Sequence, residues 1–137
     1  MLLCVVVFKF RGSFTELGDK IAATSFDTNN NFVPFRTIGV QLAHISEGWA
    51  KFNLLGNTIP FIPFGFLLPI VYKKASSFKR VFIIGLIFII LIEIIQFATR
   101  LGSFDVDDIL LNMLGILFGC AVYMTQRKRR KAKQSAK

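Results

Sequence analysis

Long apolar stretches constrain this chain more than any other feature of its sequence. Residues 81–99 contain Glu93 as their only charge, and residues 109–125 contain none. Residues 54–72 are also uncharged, although they include three prolines that predict a kinked or partly unwound helix. About 20 apolar residues are needed for a helix to cross the hydrocarbon core of a bilayer. The sequence therefore predicts an all-α fold, a polytopic transmembrane helical bundle with three full helices.

Two shorter helices complete the predicted fold. Residues 1–10 are apolar, but as a helix they would cover only about 15 Å, so we expect a short or truncated N-terminal helix there. Between residues 38 and 52, apolar side chains recur every three or four positions. This spacing predicts an amphipathic helix, which either lies in the membrane interface or packs against the other helices.

The distribution of charge predicts an orientation. The net charge is +9, and basic residues cluster between residues 73 and 80 and again between 127 and 137. Loops rich in Lys and Arg remain in the cytoplasm, so we expect a membrane domain over residues 1–126 and a basic cytoplasmic tail over 127–137. Juxtamembrane basic clusters contact anionic lipid headgroups. We therefore expect membrane lipids, and not nucleic acid, as partners of the basic residues.

The candidate functional residues surround the turn between the last two predicted spans. Glu93, Gln96 and Arg100 recur three or four positions apart on one helix and so share one face. Asp105, Asp108 and Asn112 do the same on the next helix. We expect the two faces to pack together in a helical hairpin with its turn outside the membrane. The polar members of this cluster are Glu93, Gln96, Arg100, Asp105, Asp107, Asp108 and Asn112.

Other residues are candidates for narrower roles. Asn53 and Asn57 lie at the outer start of the first full span and, with Arg100, are candidates for substrate binding. Small residues allow helices to approach closely in membranes. Glycines at three positions are therefore candidates for helix packing: Gly65, Gly115 and Gly119.

Two interpretations of the polar cluster remain open. Asp105 is a normal N-cap residue, and Asp107 and Asp108 suit the positive first turn of a helix, so capping explains part of the cluster. However, three carboxylates, a buried Glu93 and a nearby Arg100 exceed what capping requires, which favours a site for a ligand or a reaction. In that case the three aspartates are candidates to hold Mg²⁺. The sequence indicates no catalytic residue beyond this cluster and no oligomeric state.

An ordered set of short motifs resembles the VanZ-like family. The motifs are NFVPFRTI (31–38), NLLGN (53–57), PFGFLLP (63–69), EIIQ (93–96) and DVDDILLNMLG (105–115). The resemblance implies a multi-pass protein of the bacterial cytoplasmic membrane, linked through the family's namesake to low-level resistance to the glycopeptide teicoplanin. It implies no mechanism.

Three functional hypotheses follow from these observations. In the first, an outward polar cleft binds a lipid-linked cell-wall precursor or a lipoglycopeptide with its acyl tail. In the second, the protein is a metal-dependent enzyme acting on an envelope lipid or its diphosphate, with Mg²⁺ held by the aspartates. In the third, the chain is a structural scaffold for other membrane proteins.

Overall fold

The computed structural model describes residues 30–72, 77–98 and 103–135. Within these ranges the chain forms α-helices joined by short turns and loops, with one isolated parallel bridge between Asn31 and Asp105. The helices are α1 (Arg36–Ala43), α2 (Gly48–Thr58), α3 (Phe61–Val71), α4 (Phe78–Ala98) and α5 (Val106–Ser135). The predicted short helix over residues 1–10 lies outside the described ranges.

Three helical segments are long and apolar enough to cross a membrane: Gly48–Val71, which joins α2 and α3, and the helices α4 and α5. The predicted all-α class with three full helices is confirmed. The first segment is interrupted between α2 and α3 because Pro60 has no N–H to donate. Pro69 lies inside α3, as a membrane helix tolerates when its neighbours compensate.

The predicted amphipathic helix is divided into two. The chain leaves α1 at His44, and Glu47 has an extended backbone before α2 begins. Leu42, Trp49 and Phe52, which belong to the predicted apolar stripe, are each about half exposed on the protein. These side chains do not pack into the bundle, which favours the interfacial alternative.

The central element of the bundle is α5, which packs against α2, α3 and α4. The buried apolar core contains residues from all three spans: Phe61, Val81, Ile89, Ile92, Met113, Ile116 and Cys120. Because partners lie on several sides of α5, its buried surface is wider than a single stripe of a helix.

Glycines bring α5 close to the α2–α3 segment. A Cβ atom on Gly115 would collide with the carbonyl oxygen of Thr58, and one on Gly119 would collide with that of Ile62. Gly65 faces the backbone of Ile116 in the same way. Gly115 and Gly119, predicted to be sites of helix packing, therefore face the α2–α3 segment.

The last helix is longer than a bilayer requires. With 30 residues, α5 extends about 45 Å, compared with a hydrocarbon core of about 30 Å. The basic residues from Arg127 to Lys133 therefore continue the helix beyond the apolar part, with their side chains exposed.

Candidate functional site

Asp105 caps α5 and also binds the loop that precedes α1. Its Oδ1 accepts a hydrogen bond from the backbone N–H of Asp107 at 2.8 Å, as an N-cap side chain does. The same oxygen accepts from Asn31 Nδ2 at 2.9 Å, and Oδ2 accepts from Thr37 Oγ1 at 2.7 Å. Both oxygens of Asp105 therefore hold structural partners.

Asp107 caps a helix other than its own. Its fully buried carboxylate accepts the backbone N–H groups of Phe35 at 2.6 Å, Thr37 at 2.7 Å and Ile38 at 3.0 Å. The first N–H groups of a helix have no partner within it, and α1 has no capping side chain of its own. Phe35 adopts a left-handed backbone with φ of 67°, which is uncommon for a bulky residue. Asp107 stabilises this entry into α1.

Backbone contacts fix the loop before α1 to the turn before α5. The N–H of Asn31 donates to the carbonyl of Phe104 at 2.9 Å, and the N–H of Val106 donates to the carbonyl of Asn31 at 3.0 Å. The N–H of Phe104 also donates to Asn30 Oδ1 at 3.0 Å, and the rings of Phe32 and Phe104 stack. This loop is therefore fixed beside the N-terminal end of α5.

Asp108 points into the bundle, unlike the two preceding aspartates. Its Oδ1 accepts a hydrogen bond from Asn57 Nδ2, and both side chains are buried. Asn57 thus contacts Asp108, whereas Asn53 is exposed. Arg100 lies outside the described residues.

Three further polar side chains are buried between apolar helices. Glu93 and Gln96 lie on the buried face of α4 and are 1% and 4% exposed, and Asn112 of α5 is 3% exposed. Within the described part of the chain, the amide oxygen of Asn112 has no hydrogen-bond partner, and neither has that of Gln41. A buried acceptor without a partner is costly and calls for water or a ligand donor.

The aspartates do not form a metal site. Asp105 and Asp107 turn toward the loop and α1, whereas Asp108 turns toward Asn57. In the described ranges, no group of three or more His, Cys, Asp or Glu side chains could hold a metal ion. The geometry does not fit the suggested Mg²⁺ site, and we derive no metal-dependent step.

Comparison with known proteins places the chain in a family. The sequence model of the VanZ/LLP1 family matches residues 1–127. The chain belongs to the VanZ/LLP1 family. Protein VanZ from Enterococcus faecium is similar to it, with 33% identity over 76 residues, 56% of this chain and 47% of that protein. The match thus spans about half the length of that relative. No solved structure matches significantly.

Family membership and the three apolar segments make this VanZ/LLP1 chain a multi-pass membrane protein. Its polar residues divide into two groups. The capping group, Asp105 and Asp107, fixes the loop and α1. The inner polar group is buried within the bundle and consists of Asn57, Glu93, Gln96, Asp108 and Asn112.

Sequence reasoning missed three polar residues that the structure brings to this end of the bundle. Asn31 and Thr37 bind Asp105, and Gln41 is buried on α1. The signal available was the position of Asn31 and Thr37 within the motif of residues 31–38. Nothing local in that motif indicates partners about 70 residues away.

Proposed function

We propose that this protein binds an amphiphile of the bacterial cell envelope, either a lipid-linked cell-wall component or a glycopeptide antibiotic with an acyl tail. By analogy with the family's namesake, binding would lower the access of teicoplanin to its target. The observation that carries the proposal is the inner polar group, five polar side chains buried between apolar helices at one end of the bundle. Polar residues placed inside a membrane are costly and usually serve a function.

The proposal includes an orientation in the bacterial cytoplasmic membrane. Lys79, Arg80 and the basic residues from Arg127 to Lys133 lie at the opposite end of the spans from Asp105. The preference of basic loops for the cytoplasm supports a cytoplasmic C-terminus. The inner polar group then lies in the outer half of the membrane, where envelope precursors are used.

The surroundings of the inner polar group suit a ligand with a polar head and a lipid tail. The amide oxygen of Asn112 is buried without a hydrogen-bond partner among the described residues, and in this proposal it accepts a hydrogen bond from the polar head of the ligand. Apolar side chains close in sequence to Asn57 and Glu93 remain about half exposed on the protein surface: Leu55, Ile59 and Ile94. An acyl chain lying along them would stay within the hydrocarbon region.

The function is tested by drug susceptibility in a sensitive Gram-positive host. The wild type is compared with Glu93→Gln, Asp108→Asn and the control Glu47→Gln, which changes an exposed carboxylate. We expect the wild type and the control to raise the inhibitory concentration of teicoplanin more than that of vancomycin, and both inner variants to lose this protection. Membrane abundance is matched by blotting.

Other results of the susceptibility test would contradict the proposal or one part of it. If the wild type gives no protection, the link to resistance is wrong for this protein. If the inner variants protect fully, the inner polar group serves packing only. Equal protection against glycopeptides without a tail would exclude recognition of the acyl chain. Inner variants that fail to accumulate in the membrane would favour the scaffold hypothesis.

A further inference from the structure

A groove lies at the other end of the bundle, away from the inner polar group. It is formed between the second half of α3 and the extended C-terminal part of α5, with a volume of about 540 Å³. Its lining residues are Phe66, Pro69, Ile70, Tyr123, Gln126, Arg127, Arg130, Lys131 and Gln134.

The groove is apolar on one side and cationic on the other. Phe66 and Ile70 of α3 provide apolar surface, and the ring of Phe66 meets that of Tyr123 edge to face. Arg127, Arg130 and Lys131 line the remaining part. Arg130 and Lys131 lie three and four positions after Arg127 and so lie on the same side of the helix as Arg127. No acidic residue follows Asp108 in the sequence, so this charge is not neutralised from within α5.

The groove lies at a point along α5 that corresponds to the edge of a bilayer. Tyr123 is 17 residues beyond Val106, the start of α5, which is about 26 Å along the helix axis. Arg127 and Arg130 lie one and two turns further on. The apolar part of the groove is therefore level with lipid chains, and its cationic part is level with headgroups.

We propose that this groove is a specific binding site for an anionic phospholipid. The phosphate of the headgroup is held by Arg127, Arg130 and Lys131, since Arg guanidinium groups form paired hydrogen bonds to phosphate oxygens. One acyl chain lies along Phe66 and Ile70. Three cations that no acidic residue later in α5 balances lie beside an apolar wall, and this complementarity identifies the occupant.

A specific site differs measurably from diffuse attraction. A polybasic segment draws anionic lipids according to its number of charges, whichever face of the helix carries them. Lipid binding in a groove depends instead on which face of the helix carries the positive charges. Lys128, Arg129 and Lys133 belong to the same helix but do not line the groove, so they provide a control with an equal loss of charge.

Native mass spectrometry of the full chain in a neutral detergent tests this proposal. The affinity for the first molecule of phosphatidylglycerol is compared with that for phosphatidylcholine. The groove variant is Arg127→Gln, Arg130→Gln and Lys131→Gln together, and the control variant is Lys128→Gln, Arg129→Gln and Lys133→Gln together. Circular dichroism and gel filtration verify that both variants remain helical and monodisperse.

We expect the wild type to prefer phosphatidylglycerol and the groove variant to bind it at least about tenfold more weakly. The control variant should retain wild-type affinity to within about twofold. Equal weakening in both variants, or none in either, would overturn the proposal in favour of diffuse attraction or no site. An absence of preference over phosphatidylcholine would also overturn it.

Discussion

Adjacent residues of one type have different roles in this protein. Asp107 and Asp108 are neighbours in the first turn of α5, yet their side chains diverge by about 100° around the helix. Asp107 binds the backbone of α1, whereas Asp108 binds Asn57 of α2. A carboxylate near the start of a helix is favoured by the helix dipole, and Asp107 lies near the start of both α1 and α5.

Replacing Asp107 by Asn should destabilise the protein because it removes part of the cap at the start of α1. The amide nitrogen of Asn donates, so at least one of the buried N–H groups of Phe35, Thr37 and Ile38 would lose its acceptor. We expect the free energy of unfolding to fall by about 1–3 kcal/mol, measured by denaturation in detergent micelles. The exposed Glu47→Gln is the control, and equal stability of the two variants would refute the capping role.

The two asparagines of α2 provide a matched pair. Asn57→Ala removes the buried donor to Asp108, whereas Asn53→Ala changes an exposed side chain by the same amount. We expect Asn57→Ala to lower the free energy of unfolding by about 1–3 kcal/mol and Asn53→Ala to leave it nearly unchanged. Thermal unfolding monitored by circular dichroism measures both, and a similar effect of both substitutions would contradict the geometry.

At the scale of helices, α5 makes its closest approach to the α2–α3 segment. Glycine allows this because its missing Cβ lets one backbone lie against another. Gly115 and Gly119 on α5 and Gly65 on α3 each face a backbone carbonyl of the opposite helix. The backbone approach at these glycines positions Asn57 of α2 beside Asp108.

Adding a methyl group at this contact should separate the helices. Gly119→Ala would place a Cβ against the carbonyl of Ile62, whereas Gly56→Ala on α2 meets open space. We expect Gly119→Ala to lower the free energy of unfolding by about 1–3 kcal/mol. Gly56→Ala should be neutral or stabilise by up to about 1 kcal/mol through helix propensity.

Unfolding in detergent, monitored by the loss of helical circular dichroism, measures both glycine variants. If Gly119→Ala were as stable as Gly56→Ala, the close contact between α5 and the α2–α3 segment would be wrong.

For the whole molecule, the order of the membrane-spanning helices places the inner polar group and the cationic groove near opposite membrane surfaces. Ser77 precedes α4 and Ser135 ends α5, whereas Ser103 lies in the turn between them. Two crossings separate Ser77 from Ser135, so they share a side of the membrane and Ser103 is on the other. The inner polar group and the cationic groove therefore lie near opposite surfaces.

Cysteine labelling measures this arrangement. Ser77→Cys, Ser103→Cys and Ser135→Cys are each introduced singly after replacement of Cys4 and Cys120 by Ala. In intact cells we expect an impermeant maleimide to label Ser103→Cys, and to label the other two only after the membrane is opened. Labelling of Ser135→Cys in intact cells would reverse the proposed orientation, and labelling of only one of Ser77→Cys and Ser135→Cys would contradict the fold.

The sequence by itself determined the class of this protein and its spans. The length of an uninterrupted apolar segment is a local property of the sequence. Because a segment of about 20 apolar residues can cross the hydrocarbon core as a helix, the three spans follow from the sequence alone. The N-cap role of Asp105 is also local, since the hydrogen bond that caps α5 comes from the N–H of Asp107, two residues away. For the same reason the basic residues predict an orientation without any tertiary contact.

Only the tertiary structure decided how the polar residues are divided. Asp107 caps a helix about 70 residues earlier in the sequence, and Asp108 meets Asn57 across 51 positions. The cationic groove likewise requires α3 beside α5. Helical periodicity places side chains on a face but does not say which helix that face meets. That choice depends on which backbones approach closely, and the glycines of α3 and α5 allow it between two helices far apart in sequence.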